Sequence, residues 1–251
     1  MRRYGYGLTD VGRKRVSNED SFLLDDELGL YVVADGMGGH NAGEVASQEA
    51  VDAVLGMVRR EKHLLEKLDE PDVDHESLRK ALRVMESAVQ GATYMVFGIA
   101  QGDPEQEGMG TTVSALLLRG EYGIMAQVGD SRIYLVRGGK AYQLTEDHTL
   151  IAWQLKQGVI TKEEAERSPH KNIITRAVGS REYVQVDTHA FLVEKRDGFL
   201  LCSDGLHGYL SDEEIGPVMQ LGPKRATKHF IEIANERGGK DNITAVAVEL
   251  E

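Results

Sequence analysis

A single cysteine, Cys202, occurs in 251 residues, so no disulfide framework holds this chain and a reducing compartment suits it. Basic residues are also scarce. Lys and Arg number 29 against 41 Asp and Glu, for a formal charge of -12. That balance argues against nucleic acid or an anionic membrane as the main partner. No uninterrupted apolar run approaches the ~20 residues needed to span a bilayer. The opening MRRYGYGLTD has a basic pair without the apolar stretch of a signal peptide. Pro-rich or Ser-rich linkers, internal repeats and low-complexity tracts are missing as well. These absences predict one domain over residues 1–251, cytoplasmic and without membrane insertion.

What is present falls into blocks. Short apolar runs between turn residues at Tyr6–Thr9, Ser21–Leu24 and Leu30–Ala34 read as strands. From Glu44 the period changes, and Ala46, Ala50, Ala53, Val54, Met57 and Val58 share one helical face. After a polar stretch at Pro71–His75, the apolar positions from Leu78 to Ile99 mark a long amphipathic helix. Strands return at Thr112–Leu118, Gly123–Val128, Arg132–Val136 and Ala141–Leu144, the last two joined by a turn at Arg137-Gly-Gly-Lys140. Residues 145–183 are polar and mixed, with short helices expected near Leu150–Gln157 and Lys162–Glu166. Strands at Val186–Val193 and Phe199–Cys202, a helix over Lys224–Glu236 and a strand over Asn242–Leu250 complete the chain. The block order predicts an α+β fold of two mainly antiparallel sheets with helices on their outer faces.

The acidic residues are placed unusually. Leu30-Tyr-Val-Val-Ala34 runs into Asp35-Gly36, and Phe199-Leu-Leu-Cys-Ser203 into Asp204-Gly205. Ile124-Met-Ala-Gln-Val128 runs into Gly129-Asp130, while Asp241 and Asp20 stand just before strand-like runs. Asp-Gly is ordinary turn chemistry, and any one site reads that way. Five together are different. A carboxylate at a core edge is costly unless paired or metal-bound, and basic neighbours are few here. Unit charges ~4 Å apart repel by roughly 4 kcal/mol at an effective dielectric near 20. Divalent cations remove that repulsion, and an all-oxygen set favours Mg²⁺ or Mn²⁺ over Zn²⁺.

Six segments occur in order: Arg15-Val-Ser-Asn-Glu19-Asp20, Val33-Ala-Asp35-Gly36-Met-Gly-Gly-His40, Met109-Gly-Thr-Thr112, Val128-Gly-Asp130-Ser-Arg132, Cys202-Ser-Asp204-Gly-Leu206 and Gly239-Lys-Asp241-Asn242. Together, over essentially the whole chain, they resemble the bacterial branch of the metal-dependent serine/threonine protein phosphatases of the 2C type, the PPM family. The resemblance implies a four-layer αββα sandwich with a binuclear Mn²⁺ or Mg²⁺ centre at one edge. Asp35 would bridge the two ions, the Gly36 carbonyl would bind one, and Asp204 and Asp241 would complete the other. Asp20 and Glu19 would hold metal-bound waters, and Asp130 with Asp204 would take a weaker third ion. Arg15 would grip the substrate phosphate with its guanidinium fork. The implied chemistry is direct attack of a metal-bridging water on phosphoserine or phosphothreonine.

The animal pattern places His directly after Asp-Gly, where this chain has Met37. His40 is then the nearby candidate for general acid, set against a loop histidine that only orders its turn. Residues 145–183 correspond to the family's flap, and Trp153, Ser168, His170 and Asn172 within it are expected to influence substrate choice. Partners implied are phosphorylated proteins, including a cognate serine/threonine kinase and its substrates, met by a monomer. A catalytically silent phosphoprotein-binding module of the same fold is the alternative, disfavoured by the intact Asp20, Asp35, Asp204 and Asp241. Other phosphoryl-transfer chemistries fit worse. A cysteine phosphatase needs Arg six residues after Cys202, where Gly208 stands, and no GxxxxGK[ST] loop occurs. Arg132 is expected in a structural ion pair and Cys202 in the core.

Overall fold

The structure is a computed structural model that describes residues 1–38, 42–170 and 173–251, with Glu166 described by its backbone alone. In chain order the elements are β1 (Arg3–Asp10), β2 (Asp20–Asp25), β3 (Leu30–Met37), α1 (Ala42–Arg60), α2 (Lys62–Leu65) and α3 (His75–Gly102). Then come β4 (Gly110–Thr111), β5 (Val113–Arg119), β6 (Tyr122–Val128), β7 (Arg132–Arg137), β8 (Lys140–Gln143), α4 (Leu150–Lys156) and α5 (Lys162–Arg167). The chain ends with β9 (Asp187–Leu192), β10 (Gly198–Cys202), α6 (Asp204–His207), α7 (Asp212–Met219), α8 (Pro223–Glu236) and β11 (Ile243–Leu250). One sheet runs β1-β11-β10-β7-β8; the other runs β2-β3-β5-β6-β9, with β4 paired to β3. Every pairing is antiparallel.

Alternation along the strands explains the layering. Successive side chains of a strand point to opposite faces, so a strand apolar on both faces must be covered twice. In β3, Tyr31 and Val33 face the other sheet while Leu30, Val32 and Ala34 pack under α1 and α3. In β11, Val246 and Val248 join the inter-sheet core while Ala245 and Ala247 pack against α8. Leu200 and Leu201 of β10 divide in the same way. Three apolar layers between four structural layers result, which is the αββα sandwich the resemblance implies. Among the described residues no helix is long and apolar enough to cross a membrane.

Element boundaries depart from the sequence expectation where side chains compete for the backbone. The strand expected over Thr112–Leu118 is β5, which begins one residue later at Val113, and a short β4 precedes it; Thr112 between them turns its N–H to the Asp35 carbonyl (2.9 Å). α3 begins at His75, three residues before the apolar period starts, because Asp74 accepts from the Ser77 N–H (2.7 Å) and caps it. α7 was not expected at all. Its Pro217 argues against a helix, yet Ser211 and Glu214 form a capping box at its start.

Two glycines separate close packing from mere flexibility. At Gly205 a Cβ would collide with the Asn242 carbonyl oxygen, because the turn after β10 lies against the turn before β11. At Gly98, exposed on α3, a Cβ would meet nothing within 4 Å. Gly205→Ala is expected to lower unfolding stability by ~1–3 kcal/mol through overpacking. Gly98→Ala is expected to raise it by up to ~1 kcal/mol through helix propensity. Urea unfolding of the two variants checks the contrast.

Candidate metal centre

Asp20 opens β2 and stands directly across from Asp35 of β3 in the antiparallel register. Its place is fixed locally by Asn18, whose Oδ1 accepts from the Asp20 N–H (3.1 Å). One carboxylate oxygen, Oδ2, accepts from Ser203 Oγ (2.7 Å) and Thr244 Oγ1 (2.6 Å), both on the opposite sheet's side of the molecule. Oδ1 is buried and has no protein donor among the described residues. Burial pushes the Asp20 carboxyl up to about 7, against the pull of those two hydroxyls. The Asp35 carboxyl is held well above the usual carboxylate range by burial and then by repulsion from Asp20, Asp204, Asp130 and Asp241. Asp35 and Asp204 lie within hydrogen-bonding reach of each other. Two acceptors that face one another need a proton or a cation between them.

Backbone contacts hold this edge in place. Thr112 Oγ1 accepts from the Asp35 N–H (2.9 Å), and Thr111 Oγ1 donates to the Asp35 carbonyl (3.0 Å). Gly36 donates its N–H to the Glu19 carbonyl (3.0 Å), and a Cβ there would strike the Gly43 carbonyl at the start of α1. The Glu19 carboxylate lies against Gly43, with its pKa raised by burial. Asp241 sits just before β11; its Oδ1 accepts from the Asn242 N–H and its Oδ2 pairs with Arg15 Nη2 (2.7 Å). Arg15 is otherwise half exposed, so this pair is easily exchanged for another anion.

Asp130 is buried at 7% exposure in the turn between β6 and β7, where Gly129 adopts φ +101°. Burial and then the Asp204 charge push its carboxyl up to about 7. His207 Nε2 donates to the Asp130 carbonyl (3.0 Å), and burial lowers that imidazole to about 4, so the ring is neutral. Among the described residues no three Asp, Glu, His or Cys side chains are gathered tightly enough to hold an ion as they stand. Asp241 is the charged group that acts most strongly on Asp204, and it is held by Arg15. The donor chemistry nonetheless fits hard divalent cations: all oxygen, carboxyls forced toward the protonated state, and one buried carboxylate oxygen without a partner.

Not every expected residue joins this cluster. His40 and Asn172 lie outside the described residues. Trp153 is exposed on α4, while Ser168 and His170 follow α5 and contact each other through the His170 N–H and Ser168 Oγ (3.2 Å). None of these three reaches the carboxylates through a hydrogen bond or ion pair. Arg132 makes its expected ion pair, bidentate with Asp147 (2.7 and 2.9 Å). Residues that sequence reasoning overlooked do the fixing. Ser203 and Thr244 grip Asp20, and His207 grips the Asp130 backbone. His148 clasps Gly129 from both sides: its N–H donates to the Gly129 carbonyl (2.9 Å), and its Nδ1 accepts the Gly129 N–H (3.1 Å). The ring proton is therefore on Nε2, donated to Asp187 Oδ2 (3.0 Å), while Arg176 supports the other Asp187 oxygen (2.8 Å). The only sequence signal for them was adjacency to Asp204, Asp241 and Asp147.

Comparison with known proteins gives the family and the fold. The family model described as protein phosphatase 2C matches residues 12–246. The serine/threonine phosphatase stp of Listeria welshimeri is 37% identical over 246 residues, covering 96% of this chain and 93% of that protein. The crystal structure of the Mycobacterium tuberculosis serine/threonine phosphatase PstP/Ppp superposes with a TM-score of 0.87 at 34% identity, covering 99% of each chain. A structure of the PstP catalytic domain in complex with two manganese ions gives 0.83 at 34% identity, covering 99% of this chain and 98% of that one. The chain therefore belongs to the protein phosphatase 2C family, the metal-dependent PPM phosphatases, in its bacterial serine/threonine branch.

Proposed function

We propose that this chain hydrolyses phosphoserine and phosphothreonine in other proteins at a centre of two Mn²⁺ or Mg²⁺ ions. Asp35 with the Gly36 carbonyl, Asp204 and Asp241 would be the protein ligands, Asp20 and Glu19 would act through bound water, and Asp130 with Asp204 would hold a weaker third ion. The observation that carries this reading is the convergence of Asp35, Asp204 and Asp20 Oδ1, none of which has an ion-pair partner among the described residues. When bound, two such ions supply a water of lowered pKa for in-line attack and neutralise charge on the phosphoryl oxygens.

The chain's own groups have separable tasks. Asp20, fixed by Ser203 and Thr244, presents a single free oxygen in one direction, which suits orienting a water rather than chelating. Arg15 would leave Asp241 for the substrate phosphate, where its planar fork reaches two oxygens and frees Asp241 as a ligand. A proton for the departing serine or threonine oxygen is assigned to His40. The whole chain would act as one catalytic domain, monomeric and cytoplasmic, with residues 145–183 as a flap that shapes substrate choice. Phosphorylated proteins, including a kinase and its substrates, are the proposed partners. A silent phosphoprotein binder would have no use for carboxyls this costly to keep buried.

Hydrolysis of p-nitrophenyl phosphate with Mn²⁺ is the decisive assay. Asp204→Ala and EDTA are each expected to abolish it, and activity that survives chelation contradicts the proposal. Arg15→Ala is expected to lower kcat/KM by ~10–100-fold, the worth of a charged hydrogen bond, with most of the change in KM.

The raised carboxyls also set a pH dependence of stability. Asp20 and Asp130 titrate near 7 when folded against ~3.8 unfolded, so between those values the folded state binds more protons and stability falls as pH rises. His207, lowered to about 4, opposes this only below its ordinary value of 6.5. In EDTA, Tm is expected to fall from pH 5 to pH 7.5. Mn²⁺ should raise Tm more at pH 7.5 than at pH 5, because there fewer protons must be displaced. Calorimetric scans at both pH values, with and without the ion, read the difference directly.

A further inference from the structure

A cavity of about 450 Å³ lies beside Asp130 and Asp204, beneath the two short helices of the 145–183 segment. Ile151, Ala152 and Leu155 of α4 and Ala165 of α5 form its aliphatic side. We infer that this cavity is a subsite for an apolar side chain of the phosphoprotein substrate, from a residue near the phosphorylated one. The inference rests on the phosphatase reading above and adds to it what the enzyme selects.

Position comes first. The cavity shares Asp204 and Asp130 with the carboxylate cluster, so a peptide that delivers its phosphate there runs past the opening. Size comes second. An ion with six waters fills ~180 Å³, at ~30 Å³ per water, which is less than half of the space. About 270 Å³ remains, somewhat under the ~300–1,000 Å³ of pockets that hold whole ligands and enough for one side chain. Chemistry comes third. The polar groups on the walls are already engaged: Arg132 is held by Asp147 and by Tyr134 Oη (3.0 Å), and neutral His207 donates to the Asp130 carbonyl. A basic side chain would meet carboxylates already engaged, Asp147 by Arg132 and Asp130 and Asp204 by the proposed ions. An apolar side chain meets the aliphatic wall and displaces water from it.

The roof is also preformed. Thr149 Oγ1 accepts from the Ala152 N–H (3.2 Å) and caps α4, and Leu150 N–H donates to the Ile173 carbonyl (2.9 Å). Thr161 and Glu164 form a capping box at α5. Thr175 donates both its N–H (2.8 Å) and its hydroxyl (3.0 Å) to the His148 carbonyl, which closes the two ends of the segment on each other. A rigid subsite loses little freedom when it binds, so its selectivity reaches the observed rate. Trp153, although on α4, does not line the cavity.

The test uses the full chain with Mn²⁺ and phosphothreonine peptides in which one flanking position at a time is Leu, Gly, Lys or Glu. At one position Leu is expected to exceed Gly in kcat/KM by about tenfold. Ala152→Phe, which fills the cavity, should bring that ratio close to 1 while p-nitrophenyl phosphate hydrolysis stays within about twofold of the unchanged enzyme. Leu155→Ala, which enlarges the cavity and adds no bulk, should shift the preferred residue from Leu to Phe. The subsite is overturned if the unaltered enzyme shows no Leu preference or prefers Lys. It is equally overturned if both variants slow every peptide and p-nitrophenyl phosphate by the same factor. An enzyme inactive on p-nitrophenyl phosphate overturns the phosphatase reading itself, and this inference falls with it.

Discussion

Carboxylates buried without an ion-pair partner among the described residues are the constraint on which the rest of this molecule depends. Asp20, Asp35, Asp130 and Asp204 all have pKa values pushed upward by burial and mutual repulsion. A fold that only had to be stable would replace them, since an unpaired buried charge costs several kcal/mol even after relaxation. Instead the surrounding structure is organised to hold them. Asp20 is the clearest case: it belongs to one sheet, and its oxygen is gripped by Thr244 of the other and by Ser203 just past the end of β10. Thr111 and Thr112 do the same for the Asp35 backbone. The two sheets thus meet at this edge through hydrogen bonds to the acidic cluster, whereas elsewhere they meet through Val33, Leu116, Phe199 and Val246.

Much of this was legible in the primary structure, for physical reasons. Strands such as Leu30–Ala34 and Phe199–Cys202 are apolar at every position because they are covered on both faces, and that made both sheets readable. Aspartates after such strands stand out because nothing in core packing asks for them. What stayed hidden depends on contacts between distant residues. Thr244 reads as an ordinary strand residue, and only folding brings it to Asp20, 224 positions away. α6 was missed because four residues carry too little periodicity, and α7 because Pro217 pointed the other way. The sequence expectation that Trp153, Ser168 and His170 mark the active part of residues 145–183 followed their chemical distinctiveness. The cavity wall is made instead of Ile151, Ala152, Leu155 and Ala165, residues without any distinguishing chemistry.

The 145–183 segment is tied to the carboxylate edge at both ends. His148 clasps Gly129 beside Asp130, and Asp147 holds Arg132 just beyond it. At the other end, Val178 and Thr111 exchange backbone hydrogen bonds (2.8 and 3.0 Å), and Thr111 in turn holds Asp35. If the segment selects substrate as proposed, substitutions within it would alter selection without removing a proposed ligand, while substitutions at His148 or Asp147 would reach the carboxylates through the contacts to Gly129 and Arg132. The segment's ends are hydrogen-bonded to the carboxylate edge, while the side chains that line its cavity are chemically plain.

The central claim is that these acids meet to hold hard cations, and locating manganese in crystals of the protein tests it most directly. Anomalous scattering at the manganese edge is expected to give two strong peaks bounded by Asp35, the Gly36 carbonyl, Asp204 and Asp241, with Arg15 swung away from Asp241. Crystals grown in Mn²⁺ that show no peak at this edge, or show the ions bound elsewhere while Arg15 keeps its hold on Asp241, would contradict it.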